Sequence, residues 1–306
     1  MMAAVAATAR SLYGFSRGTQ ALMSTAQPLV AALVALPEPS AERLGLLMAF
    51  AVTALPAGFG FHDLLDLRLD RPRFRHLRSH EGFDLDTAGA RHPVAQGLLP
   101  LASGVLWTAG LGLAALVLSV ALGWVCTALF AAALLLGAAY SRLATVTPYK
   151  TLLLGAAVSL WGCTGWFAVG ADIDPPRLAL LAVWLAAWEI GGRNLPNDLA
   201  DTEEDARLGI ATVAVVHGRS ACAAWSCAAL AVAAAAGAAL MAVAFPVTGA
   251  IGLGAAVLAG CLLVAAGLRL VRRPDPATAQ AVFNVTSLHP VLVLAGVLTA
   301  HALSGA

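Results

Sequence analysis

Charge is what this sequence has least of. Asp, Glu, Lys and Arg make up 11% of its 306 residues, where an ordinary soluble domain carries about 25%. Too few polar residues are present to cover a water-exposed surface, which excludes a soluble globular domain and a disordered chain. The net charge of +1 leaves no excess of basic residues for a free nucleic-acid binder. Lysine is almost missing: of 18 basic residues only Lys150 is not an arginine. That bias, with heavy alanine use, points to a GC-rich bacterial genome. The five cysteines (Cys126, Cys163, Cys222, Cys227, Cys261) are odd in number, form no C-x-x-C pair and lie in apolar stretches. They exclude a secreted disulfide scaffold and read as small buried hydrophobes.

Apolar residues supply the rest, at 60% of the chain with a mean hydropathy of +0.82. Crossing about 30 Å of hydrocarbon takes about 17 to 25 apolar residues. Nine runs meet that length: 19–37, 44–62, 98–121, 123–140, 151–171, 177–197, 219–245, 247–268 and 284–304. A backbone in lipid must satisfy its own hydrogen bonds. The expected fold is therefore an all-α membrane protein, nine transmembrane helices in a single bundle spanning 19–304. Residues 1–18, with Arg10 and Arg17, read as a short interfacial segment before it. Ala35-Leu36-Pro37 is a poor cleavage site for a signal peptide.

The arginines orient the bundle. With the N-terminus in the cytoplasm, 16 of the 18 basic residues fall inside and only Arg43 and Arg177 outside, as the positive-inside rule requires. The outer loops are short, whereas 63–97 and 198–218 are long and charged. With 141–150 they form a cytoplasmic cap, which is where chemistry is expected.

Two stretches at that face resemble each other. His62-Asp63-Leu64-Leu65-Asp66-Leu67-Arg68-Leu69-Asp70 ends the second span, and Asn197-Asp198-Leu199-Ala200-Asp201-Thr202-Glu203-Glu204-Asp205 ends the sixth. Each puts carboxylates at i, i+3 and i+7, which on a helix fall within about 60° of one face. Four spans separate the motifs, so the sequence reads as two related halves with a ninth helix added. Three carboxylates on one stripe repel each other unless cations intervene. Two stripes face to face make a dense set of oxygen ligands without sulfur, the set for Mg²⁺ or Ca²⁺, and Mg²⁺ commonly bridges carboxylates to a phosphorylated substrate.

Such a substrate needs cations as well as metal. Arg71, Arg73, Arg75 and Arg78 follow the first motif, and Tyr140, Arg142 and Lys150 stand around the loop between spans four and five; any single arginine also reads as a topology marker. Glu189 is the one carboxylate well inside a span, where an ionisable group usually faces a cavity. Arg193 lies one turn on and Asn197 continues the stripe. A structural ion pair and a pocket-lining polar contact both fit Glu189 and Arg193. Pro196, behind Gly191-Gly192, predicts a kink. His62 stands beside the acids, and His289 and His301 lie in the last span. Trp161, Trp166, Phe167, Trp184 and Trp188 read either as the wall of an apolar pocket or as interface anchors.

Taken together, the nine spans, the H-D-x-x-D-x-x-x-D and D-x-x-D-x-x-x-D motifs, the Tyr140–Lys150 loop and the Asp205–Thr212 segment resemble the UbiA superfamily of intramembrane prenyltransferases. The resemblance runs nearly the whole chain. It implies a helical bundle with a central cavity open sideways to lipid. Asp63, Asp66, Asp70, Asp198, Asp201 and Asp205 are then Mg²⁺ ligands. Arg71 and Lys150, with Tyr140, Arg142 and Asn197, hold the diphosphate, while His62, Glu189, Arg193, Trp161 and Trp188 line the pocket. The implied reaction ionises an allylic prenyl diphosphate and passes the prenyl cation to a small, commonly aromatic acceptor, in a bacterial cytoplasmic membrane. The superfamily also holds terpene cyclases, in which the cation attacks its own chain; a non-catalytic isoprenoid carrier would have little use for two carboxylate trios. Three departures stand out: His62 replaces the usual Asn, residues 71–96 exceed the usual loop before an R-P-x-x-x-G-like element (here His92-Pro93-Val94-Ala95-Gln96-Gly97), and Ala211 occupies a position that is often basic.

Overall fold

The long apolar runs fold as helices, and among the described residues there is no strand. A computed structural model describes residues 2–74 and 92–304. The helices, in chain order, are α1 (Met2–Phe15), α2 (Gly18–Ser24), α3 (Ala26–Ala35), α4 (Ala41–Phe74), α5 (Leu101–Leu122), α6 (Trp124–Arg142), α7 (Thr151–Ala168), α8 (Pro175–Trp188), α9 (Leu195–Ala200), α10 (Thr202–Leu208), α11 (Val213–His217), α12 (Arg219–Val243), α13 (Phe245–Arg272), α14 (Pro276–Ser287) and α15 (His289–Ser304). A single 3₁₀ turn, Pro148–Lys150, leads into α7.

Seven segments, rather than nine, are long and apolar enough to cross a membrane among the described residues, the last of them joining α14 and α15. The first and sixth expected spans are interrupted. The first breaks at Thr25, whose hydroxyl donates to the Leu22 carbonyl at 2.7 Å and competes with the backbone ladder. The sixth runs from α8 through a π-helical turn, Glu189–Asn194, into α9. Pro196 explains much of this: it has no N–H to reach the carbonyl of Gly192 or of Gly191. Side chains from neighbouring helices serve both instead. Ser226 Oγ of α12 donates to Gly191 O at 2.6 Å, and Thr286 Oγ1 of α14 donates to Gly192 O.

Two glycines make these crossings possible. A Cβ at Gly165 of α7 would lie 1.8 Å from the Pro28 carbonyl oxygen of α3, and one at Gly191 would lie 2.7 Å from the Ser226 carbonyl oxygen. The apolar core gathers α3, α4, α7, α8, α12 and α13, with Trp166, Trp184, Trp188 and Phe50 fully buried. The two acidic motifs do not share one backbone design. Asp63, Asp66 and Asp70 lie within unbroken α4, which runs on to residue 74 where a loop was expected from 63. The second motif is split by a break at Asp201, between α9 and α10. The matched spacing of the two motifs thus does not extend to matched helix geometry.

Closing the π turn onto α12 has a measurable consequence. Gly191→Ala inserts a methyl where there is no room, an overpacking that costs about 1–3 kcal/mol. It should lower the melting temperature of the purified protein in detergent, whereas Gly254→Ala, in α13 with no atom within 4 Å of the added Cβ, should hold it or raise it slightly, since alanine is the better helix former. Equal melting of both variants would contradict the crossing.

Candidate active site

All six motif aspartates border one cavity of about 310 Å³ enclosed by α2, α3, α4, α6, α7, the π turn, α9, α10 and α14. On α4 the i, i+3, i+7 spacing lines up Asp63, Asp66 and Asp70, and Asp63 and Asp70 are buried. Two cationic side chains meet that stripe. His92 Nδ1 lies 3.1 Å from Asp63 Oδ1 and 3.0 Å from Asp70 Oδ2, and Arg17 Nη2 lies 3.7 Å from Asp63 Oδ1. Burial works against a charge on the His92 ring, but the Asp63 and Asp70 carboxylates outweigh it and push the imidazole up to about 9.

Arg17 and His92 are also the only non-glycine residues with positive φ among the described residues, at 45° and 44°. Strained backbone of this kind persists where the surroundings over-determine it. For His92 they do: its carbonyl accepts from Gln96 N–H, the Pro93 carbonyl accepts from Leu98 and Leu99 N–H, and Val94 and Leu99 pack on buried Phe15. His62 borders the cavity too and ties α4 to α6, its Nδ1 3.3 Å from Ser141 Oγ.

The second motif is held differently. Asp198, Asp201 and Asp205 are buried, and the chain turns sharply after them, with Gly209 left-handed and Ile210 N–H donating to Asp205 O at 2.8 Å. One carbonyl then joins this turn to the loop between α6 and α7. Ala144 O accepts both Ala211 N–H at 2.8 Å and Lys150 Nζ at 3.3 Å. Lys150 is thereby held only 3% exposed, 5.4 Å from the Tyr140 ring, among the charges of Asp198, Asp205 and Asp66. Tyr140 Oη accepts from Asn194 Nδ2 at 3.3 Å.

The donor set suits a hard divalent cation: among the described residues seven carboxylates, six of them the motif aspartates, and no cysteine line the cavity, as Mg²⁺ prefers. Asp198 Oδ2 supports the fit, being buried with no hydrogen-bond partner among the described residues.

Not every residue expected here arrives. Lys150, Tyr140, Asn197, His62, Glu189, Arg193 and Trp161 border the cavity with the aspartates. Arg71 and Arg142 are exposed and do not border it. One residue beyond Asp70, Arg71 is turned about 100° around the helix from the acidic face. Arg75 and Arg78 lie outside the described residues, and so does the side chain of Arg73. Trp188 belongs to the core rather than to the pocket wall, its Nε1 donating to Thr286 O at 2.7 Å; Trp184 likewise donates to His289 Nε2 at 2.9 Å. Arg17, His92, Asn194, Gln20 and Gln27 were not anticipated and do border the cavity. The H-P-x-x-x-G element carried a signal for His92. Asn194 had none, because the extra residue of the π turn shifts the helical register.

Metal titration separates these groups. Asp63→Asn and Asp198→Asn should each weaken Mn²⁺ binding, read from the free-ion EPR signal, by about tenfold or more. Arg71→Ala and Arg142→Ala should leave it unchanged; a comparable loss in either would contradict the placement.

Comparison with known proteins agrees with this geometry. No curated protein matches the chain by sequence. A UbiA homolog from Aeropyrum pernix K1 superposes with a TM-score of 0.75 at 18% identity, covering 91% of this chain and 97% of that one. A UbiA homolog from Archaeoglobus fulgidus bound to GPP and Mg²⁺ gives 0.66 at 16% identity, over 95% and 99%. The structure of a digeranylgeranylglyceryl phosphate synthase gives 0.67 at 16%, over 95% and 97%. At these identities the likeness is one of fold. The model of the UbiA prenyltransferase family matches residues 22–288, a stretch containing both acidic motifs, Lys150 and all but the N-terminal rim of the cavity, and the chain belongs to that family.

Proposed function

We propose that this protein is a Mg²⁺-dependent intramembrane prenyltransferase that ionises an allylic prenyl diphosphate and transfers the prenyl group to a small aromatic acceptor. The observation that carries this reading is a cavity with two different ends: six carboxylates with Arg17 and Lys150 at one, and apolar walls from Leu55, Phe59, Phe130, Leu134 and Trp161 leading away. The structures of the Archaeoglobus fulgidus homolog with GPP and Mg²⁺ and with DMAPP and Mg²⁺ support the same substrate class. The 16-to-2 split of basic residues supports an active site at the cytoplasmic face of a bacterial membrane.

The aspartates of both motifs would hold the metal, which when bound would supply positive charge against the departing diphosphate. Lys150, a compact point charge pinned by Ala144 O, donates to the diphosphate oxygens, and Arg17 does so from the N-terminal side. Asn194 orients Tyr140 against Lys150. The prenyl C1–O bond breaks with its electron pair leaving on the diphosphate. Phe59, Phe130 and Trp161 stabilise the resulting cation with their ring faces and exclude water that would trap it. A ring carbon of the acceptor then forms the new C–C bond and gives up its proton.

Product analysis tests this directly. Purified protein with Mg²⁺ and geranyl, farnesyl or geranylgeranyl diphosphate should form a prenylated product only when a phenol, quinone precursor or indole is supplied, and EDTA should abolish it. Lys150→Ala should lower kcat/KM by about 10²-fold or more, as loss of a transition-state charge partner does. A cyclised terpene formed without acceptor, and lost in Asp66→Ala, would overturn transfer in favour of cyclisation.

A further inference from the structure

The same cavity has a second polar wall that diphosphate binding leaves unused. Gln20 of α2, Gln27 of α3, and Glu189 and Arg193 of the π turn all border it. This wall is built into the protein interior: Gln27 is 1% and Glu189 5% exposed. Arg193 Nη2 donates to Gln20 Oε1, and Arg193 Nη1 lies 3.4 Å from Glu189 Oε2. Among the described residues, Gln27 Oε1 and Arg193 Nε nevertheless lack a hydrogen-bond partner, and Glu189 Oε2 accepts no hydrogen bond and has only its ion pair with Arg193. Buried polar groups are almost always satisfied, so orphans gathered beside a cavity mark a place for a ligand.

Their chemistry defines that ligand. Two of the orphans are acceptors and one is a donor, a combination that hydroxyl groups complete, since each hydroxyl both donates and accepts. Glu189 already neutralises Arg193, so an additional anion would meet a carboxylate beside the guanidinium. The aromatic faces of Trp161 and Phe283 also border the cavity, and the Arg193 guanidinium stands 5.8 Å from the Phe283 ring.

We propose that Gln27, Glu189 and Arg193 form the acceptor subsite and select a neutral, hydroxyl-bearing aromatic ring over a ring carrying a carboxylate. The hydroxyl hydrogens donate to Glu189 Oε2 and Gln27 Oε1, and a hydroxyl oxygen accepts from Arg193 Nε. This inference rests on the transferase reading above. The Glu189–Arg193 pair is therefore a recognition element as well as a structural one.

Equilibrium binding tests it in purified full-length protein with Mg²⁺ and the non-ionising analogue geranyl thiolodiphosphate, using hydroquinone, 1,4-dimethoxybenzene and 4-hydroxybenzoate as probes. Hydroquinone should bind at least about tenfold more tightly than the dimethyl ether, because a site built to hydrogen-bond a hydroxyl rejects the analogue lacking it, and at least about tenfold more tightly than 4-hydroxybenzoate, whose carboxylate would meet that of Glu189. Gln27→Leu and Glu189→Leu should reduce the preference over the dimethyl ether to within about twofold, with thiolodiphosphate affinity unchanged. Glu189→Gln, the milder change, should keep that preference in part and relax discrimination against 4-hydroxybenzoate. Equal binding of hydroquinone and its ether by the wild type, tighter binding of 4-hydroxybenzoate, or an undiminished preference in the variants would each overturn the subsite. Failure of the thiolodiphosphate to bind with Mg²⁺ would instead contradict the prenyl diphosphate reading beneath it.

Discussion

Six carboxylates bordering one cavity, in a chain that is 60% hydrophobic, form a set of like charges that a low-dielectric interior opposes unless cations stand among them. The rest of the site follows from that constraint. Arg17 and His92 reach the first motif from outside α4, each on left-handed backbone, and Lys150 meets the second from the loop after α6. These protein cations leave room for metal, as the unpartnered Asp198 Oδ2 indicates. A site that already holds opposed charges side by side is prepared to take up another dense anion with its metal, and to let it go.

Keeping the acidic faces together requires irregular backbone, and each irregularity has a local cause. Pro196 removes the N–H that would have continued a helix, and Ser226 and Thr286 satisfy the carbonyls it leaves. The resulting π turn advances the register, so Glu189, Arg193 and Asn194 all border one cavity, which an α-helix would not place on one face. Gly191 lets this wide turn lie directly on α12. Further on, the break at Asp201 allows α10 to turn away, and the shared carbonyl of Ala144 holds the following loop to Lys150. The sixth segment is thus both membrane wall and active-site strand of residues, and its departure from regular helix is what permits the two roles.

Much of this was legible from sequence because it depends on local pattern. Apolar length and charge depletion reveal the membrane segments, and i, i+3, i+7 spacing reveals the aspartates and their helix faces. Lys150 stood out as the sole lysine at a helix start. Other features depend on partners distant in the chain. Arg71 and Arg142 have the right charge at the right sequence distance, but their helical positions turn them to solvent. Trp188 is core rather than pocket because Thr286 of α14 claims its indole N–H. The nine expected spans followed from apolar length, which does not reveal that a π turn interrupts the sixth and a break at Thr25 the first. His92 lies 22 residues beyond Asp70 in the chain; the H-P-x-x-x-G element marks it, but the local pattern does not say which carboxylates it returns to.

The central claim is that two acidic motifs on separate helical segments share one metal and diphosphate site. Anomalous diffraction from crystals grown with Mn²⁺ and geranyl thiolodiphosphate tests it most directly. The account predicts manganese peaks beside both Asp63–Asp70 and Asp198–Asp205, with the diphosphate between them and in contact with Lys150. Manganese at only one motif, or diphosphate bound away from Lys150, would contradict it.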